Sequence, residues 1–116
     1  MHELSVTESL LNLAMQHATQ ARAVRVTSLQ LVIGQLSSLV DESVQFYWDM
    51  ISAGTICDGA QLRFERRPAT LRCLECNEMY TLDGELIDCP QCHSAHLKVV
   101  SGDEFFLESI EVEAEP

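Results

Sequence analysis

Four of the five cysteines fall into two Cys-x-x-Cys pairs, Cys73-Leu74-Glu75-Cys76 and Cys89-Pro90-Gln91-Cys92, with twelve residues between them. A Zn²⁺ ion is held by four soft or borderline donors at the corners of a tetrahedron. One Cys-x-x-Cys turn places two thiolates along one edge of that tetrahedron. Two such turns on facing hairpins supply all four corners. The spacing therefore predicts a structural zinc site made by Cys73, Cys76, Cys89 and Cys92.

Other chemistries of paired cysteines fit less well. A thioredoxin-type redox pair needs a strand–helix context that neither pair has. Cys89-Pro90-Gln91-Cys92-His93 matches the c-type haem attachment pattern, but haem would leave the first pair unexplained. Two disulfides call for an oxidising compartment. The chain opens Met1-His2-Glu3, with no basic region or long apolar run of a secretory signal. The expectation is a cytoplasmic protein with reduced thiols. Cys57, alone in Ala53-Gly54-Thr55-Ile56-Cys57, reads as a small buried apolar residue.

Zinc also answers a question of stability. Between residues 70 and 99 the bulky apolar side chains are chiefly Leu71, Tyr80, Leu82, Leu86, Ile87 and Leu97. These cannot hold a small module together unaided, whereas structural zinc contributes about 10–16 kcal/mol in finger peptides.

A second metal chemistry is available at the other end. The α-amino nitrogen of Met1, the deprotonated amide of His2 and the His2 imidazole can close adjacent chelate rings on one ion. Three nitrogens in nearly one plane suit Ni²⁺ or Cu²⁺, while zinc prefers a tetrahedron. Glu3 could add its amide or its carboxylate. A histidine in second position also arises by accident, so these three residues alone decide little.

Composition narrows the partners. The chain has 116 residues, 47% of them hydrophobic, so a buried core is within reach. Eighteen acidic residues against seven basic ones give a formal charge of −11. Nucleic acid would repel such a chain, because binding it needs clustered Lys and Arg. Basic proteins and metal cations suit it better. No window approaches the roughly 18 apolar residues of a membrane helix.

The elements that must position these sites follow from hydrophobic periodicity. Ser5-Val6-Thr7-Glu8 reads as a capping box. Val6, Leu10, Leu13, Ala14, His17 and Ala21 then keep helical spacing, giving a helix over about 5–21 with His17 partly buried near its apolar stripe. Val24 to Ile33 reads as a strand whose apolar phase shifts, so it either bulges or is covered on both faces. Gly34 ends it, and 35–40 form a loop. Asp41 fits a helix N-cap, Val44, Tyr47, Trp48 and Ile51 an apolar stripe over 42–53, and Gly54 the C′ position. Leu62 and Phe64 mark a half-buried strand stopped by Pro68. Phe106, Ile110 and Val112 share one face of a last strand over 104–113, which must return to the main sheet to find a partner. The expected fold is α+β: two helices packed on a small three-stranded sheet, with an inserted zinc-ribbon-like module of four cysteines. The expected domains are a discontinuous one of residues 1–69 and 100–116, and a zinc-binding one of residues 70–99.

The order Met1-His2-Glu3, then Ile33-Gly34-Gln35-Leu36-Ser37, then the paired Cys-x-x-Cys motifs, then Phe105-Phe106-Leu107-Glu108-Ser109-Ile110-Glu111 resembles the HypA/HybF family of hydrogenase maturation factors nearly end to end. The resemblance implies a nickel metallochaperone. It implies Ni(II) bound by His2 with neighbouring backbone nitrogens, including the Met1 α-amino group, and assisted by Glu3. It implies structural Zn(II) on the four cysteines. It implies delivery to the large subunit of nickel–iron hydrogenase with a GTPase partner called HypB, some members serving urease as well. The family's nickel site has been linked to an acidic residue about three positions after the Ser-containing segment. Here Ser37-Ser38-Leu39-Val40 precedes Asp41-Glu42, one position later, so Asp41 is an assistant or simply a helix cap.

His93 and His96 flank the second cysteine pair. Either they are solvated neighbours that hydrogen-bond around the site, or one of them replaces a cysteine as pH or nickel load changes. No nucleophile–base pair emerges, and a closed four-cysteine site leaves no open position for water, so the chain reads as a non-enzyme. Separately, a monomer or weak homodimer is expected. The rival readings are a zinc-ribbon module that binds protein or nucleic acid without delivering nickel, and a zinc enzyme or redox protein.

Overall fold

The computed structural model describes residues 3–82 and 85–114. Its elements run α1 (Glu3–Gln20), β1 (Ala23–Gly34), α2 (Asp41–Ile51), β2 (Gln61–Arg67), β3 (Thr70–Cys73), β4 (Met79–Thr81), β5 (Leu97–Ser101) and β6 (Phe105–Ala114). The strands form two three-stranded sheets, ordered β2-β1-β6 and β4-β3-β5. The expected α+β fold is found, and the last strand does return beside β1. Val32–Ser37 together with Arg66–Phe105 make one compact unit, and the rest of the chain, with both helices, makes the other.

In the helical unit, α1 buries Thr7, Leu10, Ala14 and Ala18. That stripe is rotated from the expected one. Ala18 takes the inner position, leaving His17 exposed and Leu13 41% exposed. The small alanines lie closest to the core, and the larger side chains flank them. Thr7 tolerates full burial because its hydroxyl donates to the Glu3 carbonyl. The expected capping box is absent. The helix already runs through Glu3, so Ser5 and Glu8 are exposed helical residues.

Helix α2 buries Val44 and Trp48, with Tyr47 and Ile51 half-buried beside them. Its cap differs from expectation. Val40 holds the N-cap position without a side-chain bond, and Asp41 is the first helical residue. There its charge favours the N-terminal dipole together with Glu42. Ser52 closes the helix by donating its amide to Trp48 O. Gly54, at φ +79, therefore comes two residues past that cap, one later than C′. Cys57 is fully buried, as expected of a small apolar residue, and burial pushes its thiol up.

In β1, Leu31, Val32 and Ile33 are all fully buried. Consecutive residues of a strand point to opposite faces, so this end of β1 is covered on both. In β6 the burial phase changes: Leu107 is half-buried and Phe106 41% exposed, then Ile110 and Val112 are half-buried while Glu111 and Glu113 are exposed. Phe106 thus departs from the face expected for it.

The cysteine unit is built around the Ile33–Ser37 segment. A Cβ on Gly34 would stand 2.1 Å from Gly102 O, so only glycine lets the two backbones approach. Gly34 N donates to Glu104 O, Gln35 N to Arg67 O and Leu36 N to Gly102 O, at 2.7–2.8 Å. Ala69 N donates to Gln35 Oε1 at 3.1 Å. Leu36, Tyr80 and Leu97 pack on the buried Ala69, Leu71 and Leu82. This core is small, as the sequence indicated.

Candidate metal centre

The second sheet, antiparallel on both sides of β3, presents the cysteines. Arg72 pairs with Met79 and Lys98, and Cys73 at the end of β3 pairs with Leu97. Beyond Cys73 the chain turns back on itself. Asn77 N donates to Cys73 O at 2.9 Å, and Cys73 N to Glu78 O at 2.9 Å. Asn77 has φ +63, the left-handed conformation that asparagine tolerates. Glu75 N, 3.4 Å away, donates to Cys73 Sγ.

The second turn repeats this pattern. His93 N donates to Cys89 O at 2.8 Å, and Cys89 N to Ser94 O at 3.0 Å. His93 has φ +65, and Cys92 N donates to Cys89 Sγ at 3.5 Å. In each turn the residue four after the first cysteine is left-handed, and an amide inside the turn points at the first sulfur. Tyr80 OH, donating to Ile87 O at 2.9 Å, ties the approach to the second turn onto the hairpin.

The two turns bring all four sulfurs within 4.8 Å of one another. Cys73 Sγ lies 3.5 Å from Cys92 Sγ, and Cys76 Sγ 3.6 Å from Cys89 Sγ. Zinc–sulfur bonds of about 2.3 Å place tetrahedral sulfurs about 3.8 Å apart, close to these distances. A disulfide would need about 2.05 Å, and all five cysteines are free. Cys73 and Cys89, one from each turn, are buried, while Cys76 and Cys92 lie outermost. The four cysteines form a metal site, and the donor set is one that soft or borderline cations favour.

Electrostatics at the site suit a cation. The Cys92 amide holds the Cys89 thiol down to about 7, against an ordinary value of 9.0. Cys92 goes the other way. The Ser94 amide favours its thiolate, but sharing a hydrogen bond with Cys73 and partial desolvation outweigh that and push it up to about 12. A metal ion would displace the thiol protons and take up the sulfur lone pairs that these crowded groups otherwise share in hydrogen bonds.

Neither histidine joins the sulfurs. Among the described residues the four cysteines alone form a group of His, Cys, Asp and Glu able to hold a metal. His96 Nδ1 lies 3.1 Å from Glu75 Oε1, both side chains more than half exposed. His96 thus bridges to the first turn, as does its carbonyl, which accepts from Leu74 N at 2.9 Å. The roles of Asn77, Ser94, Glu75 and Tyr80 were not read from the sequence. The Asn77 role was open to being found, since asparagine just after a Cys-x-x-Cys is a common left-handed residue.

Of the residues expected to hold a second metal, Met1 and His2 lie outside the described residues. Glu3 is the first residue of α1, and Asp41 stands half-buried in the first turn of α2.

A family model described as hydrogenase/urease nickel incorporation, metallochaperone, HypA matches residues 1–112. A hydrogenase maturation factor HypA of Dehalococcoides mccartyi is 42% identical over 115 residues, 99% of this chain and 97% of that one. A hydrogenase maturation factor HybF of Escherichia coli is 34% identical over 113 residues, 97% of this chain and all of that one. The solution structure of the Ni metallochaperone HypA from Helicobacter pylori superposes with a TM-score of 0.71 at 26% identity, covering 99% of this chain and 100% of that one. The chain belongs to the HypA family of hydrogenase maturation factors.

Proposed function

We propose that the chain binds Ni(II) at its N-terminus and helps insert it into a nickel–iron hydrogenase during maturation, with urease a second destination. The ligands in this reading are the Met1 α-amino nitrogen, the amide and imidazole nitrogens of His2, and Glu3, with Asp41 as an assistant. The cysteine site holds Zn(II), a structural ion. The observation that carries the proposal is the saturation of that site. Four sulfurs within 4.8 Å fill a tetrahedron, and both turns are closed by backbone hydrogen bonds. Such a centre has no open position for a passing ion, so an ion meant for delivery needs a separate and looser site. A chelate on the first residues, lacking a full cage, releases more readily than a four-thiolate tetrahedron. The same saturation supports a carrier over an enzyme.

Delivery would place the chain in the cytoplasm, as a monomer or weak homodimer, beside a HypB-type GTPase and the hydrogenase large subunit. The decisive experiment is calorimetric titration of the zinc-loaded protein with nickel, run beside His2→Ala and a variant extended before Met1. Both variants should lose stoichiometric nickel binding and keep one zinc. Full nickel affinity in either would refute the N-terminal site.

A further inference from the structure

One surface of the helical unit holds, among the described residues, no group of metal-ligating side chains. β6 lies at an edge of the β2-β1-β6 sheet, with β1 as its neighbouring strand. Between β6 and the end of α1 runs a groove of about 300 Å³, walled by His17 and Ala21 on one side and by β6 on the other, where Leu107, Ile110 and Val112 are joined by the polar Glu108 and Ser109. Ala21 is fixed there by its amide, which donates to His17 O at 3.0 Å.

The backbone of β6 is oriented by one bond. Glu111 O accepts from Thr27 Oγ1 of β1 at 3.2 Å, so Glu111 turns its polar backbone toward β1. Neighbouring residues of a strand turn theirs the other way, so Ile110 and Val112 present N–H and C=O to the open edge. Their side chains, half-buried, line the groove, while those of Glu111 and Glu113 stand exposed on the opposite face. An exposed strand edge beside a groove that can take alternate side chains is how extended peptides are taken up by strand addition.

The charges select the occupant. β6 carries Glu108, Glu111 and Glu113, and the whole chain −11. Arg63 lies 3.6 Å from Glu111, with both side chains more than half exposed. A pair so solvated is screened and leaves the strand acidic. A second copy would set these glutamates against their own kind, which destabilises a cross-strand pair.

We propose that β6 accepts, as an added strand, an extended segment of another protein in which apolar and basic side chains alternate. The apolar set enters the groove under His17 and Ala21, and the basic set faces Glu111 and Glu113. This docking is independent of the nickel site and does not require it. Glutamates on an edge also discourage aggregation, but that function alone leaves the groove and its three apolar β6 side chains unexplained.

The test uses the metal-loaded full chain without nickel, titrated with a fluorescein-labelled peptide of alternating Lys and Val, and with an alternating Glu and Val control. Saturable binding of the Lys–Val peptide, with amide NMR shifts centred on Ile110 and Val112, is expected. Val112→Pro removes an outward N–H and spares the face bonded to β1. It should weaken binding about tenfold, the worth of one backbone hydrogen bond and its immediate neighbours. Should Val112→Pro fail to fold, Ala21→Phe, which fills the groove, decides in its place, with a comparable loss. The proposal is overturned by absence of saturable binding, by equal binding of the Glu–Val peptide, by shifts centred elsewhere, or by self-association of the chain through this edge.

Discussion

Asn77 and His93 hold the same station in two successive turns: each is left-handed, at φ +63 and φ +65, and each donates its amide to the carbonyl of a metal-site cysteine four residues earlier. A histidine beside a four-cysteine site invites a role as a ligand. Here its backbone conformation accounts for its position, and the equivalent Asn77 has no imidazole to offer. His96 is likewise engaged with Glu75, at 3.1 Å.

Substitutions at His93 should therefore act on backbone strain and leave metal content unchanged. Glycine occupies the left-handed region freely, so His93→Gly should keep one metal per chain and full thermal stability. His93→Val should cost about 1–2 kcal/mol, the penalty for a left-handed β-branched residue. Thermal unfolding of the metal-loaded variants, with metal analysis, reads both. Metal loss in His93→Gly would restore the imidazole to the coordination sphere.

Gly34→Ala should be among the most damaging single-atom changes in the chain. Its Cβ would meet Gly102 O at 2.1 Å and Asp103 N at 2.7 Å, both backbone atoms. Rearrangement must move main chain, at a cost of about 3 kcal/mol. Gly102→Ala adds a left-handed φ of +116 to an approach of 2.4 Å on Ala69. Urea unfolding should show midpoints far below the parent for both, and a near-parent midpoint for Gly34→Ala would mean that the Gly102–Asp103 segment moves aside easily.

Removing the metal should unfold β3, β4 and β5 before the helices. The core beneath the site is three buried side chains, Ala69, Leu71 and Leu82, against a metal contribution of about 10 kcal/mol or more. Chelation, or Cys73→Ser, should abolish amide protection at Leu71 and Arg72 while Ala14 and Trp48 keep theirs. Hydrogen exchange read by NMR distinguishes this from global unfolding.

Metal affinity should fall as pH falls, and more steeply below pH 7. Only thiolates bind metal, so each bound thiol must first lose its proton. Above about 7 Cys89 is already deprotonated, held low by the Cys92 amide, while Cys92, pushed up to about 12, still carries its proton. Below about 7 Cys89 is protonated too, and one more proton must leave per ion bound. Competition against a chromophoric chelator at several pH values should show the steeper limb on the acid side, and a constant slope through pH 7 would contradict the depressed Cys89 thiol.

Much of this was legible in the sequence because local chemistry decides it. The spacing of Cys73, Cys76, Cys89 and Cys92 specified a four-sulfur site, since a two-residue gap permits little except a tight turn. Trp48 four residues after Val44, and the alternation ending at Val112, specified a buried helix stripe and a strand face. The errors came where two local signals competed. Ser5 and Glu8 match a capping box, and Asp41 matches an N-cap. Yet α1 already runs through Glu3, and α2 takes its cap from Val40.

What the sequence alone determined, then, were the donors, the turns that hold them and the elements' kinds, all governed by residues within a few positions of one another. Tertiary structure decided the rest. It chose Ala18 over His17 for the inner face of α1, brought Gly34 against Gly102, and left β6 at an edge with Ile110 and Val112 beside a groove. Those outcomes depend on the packing of surfaces distant in the chain, where the energy of excluding water and of fitting backbones closely is set by the whole assembly of neighbours.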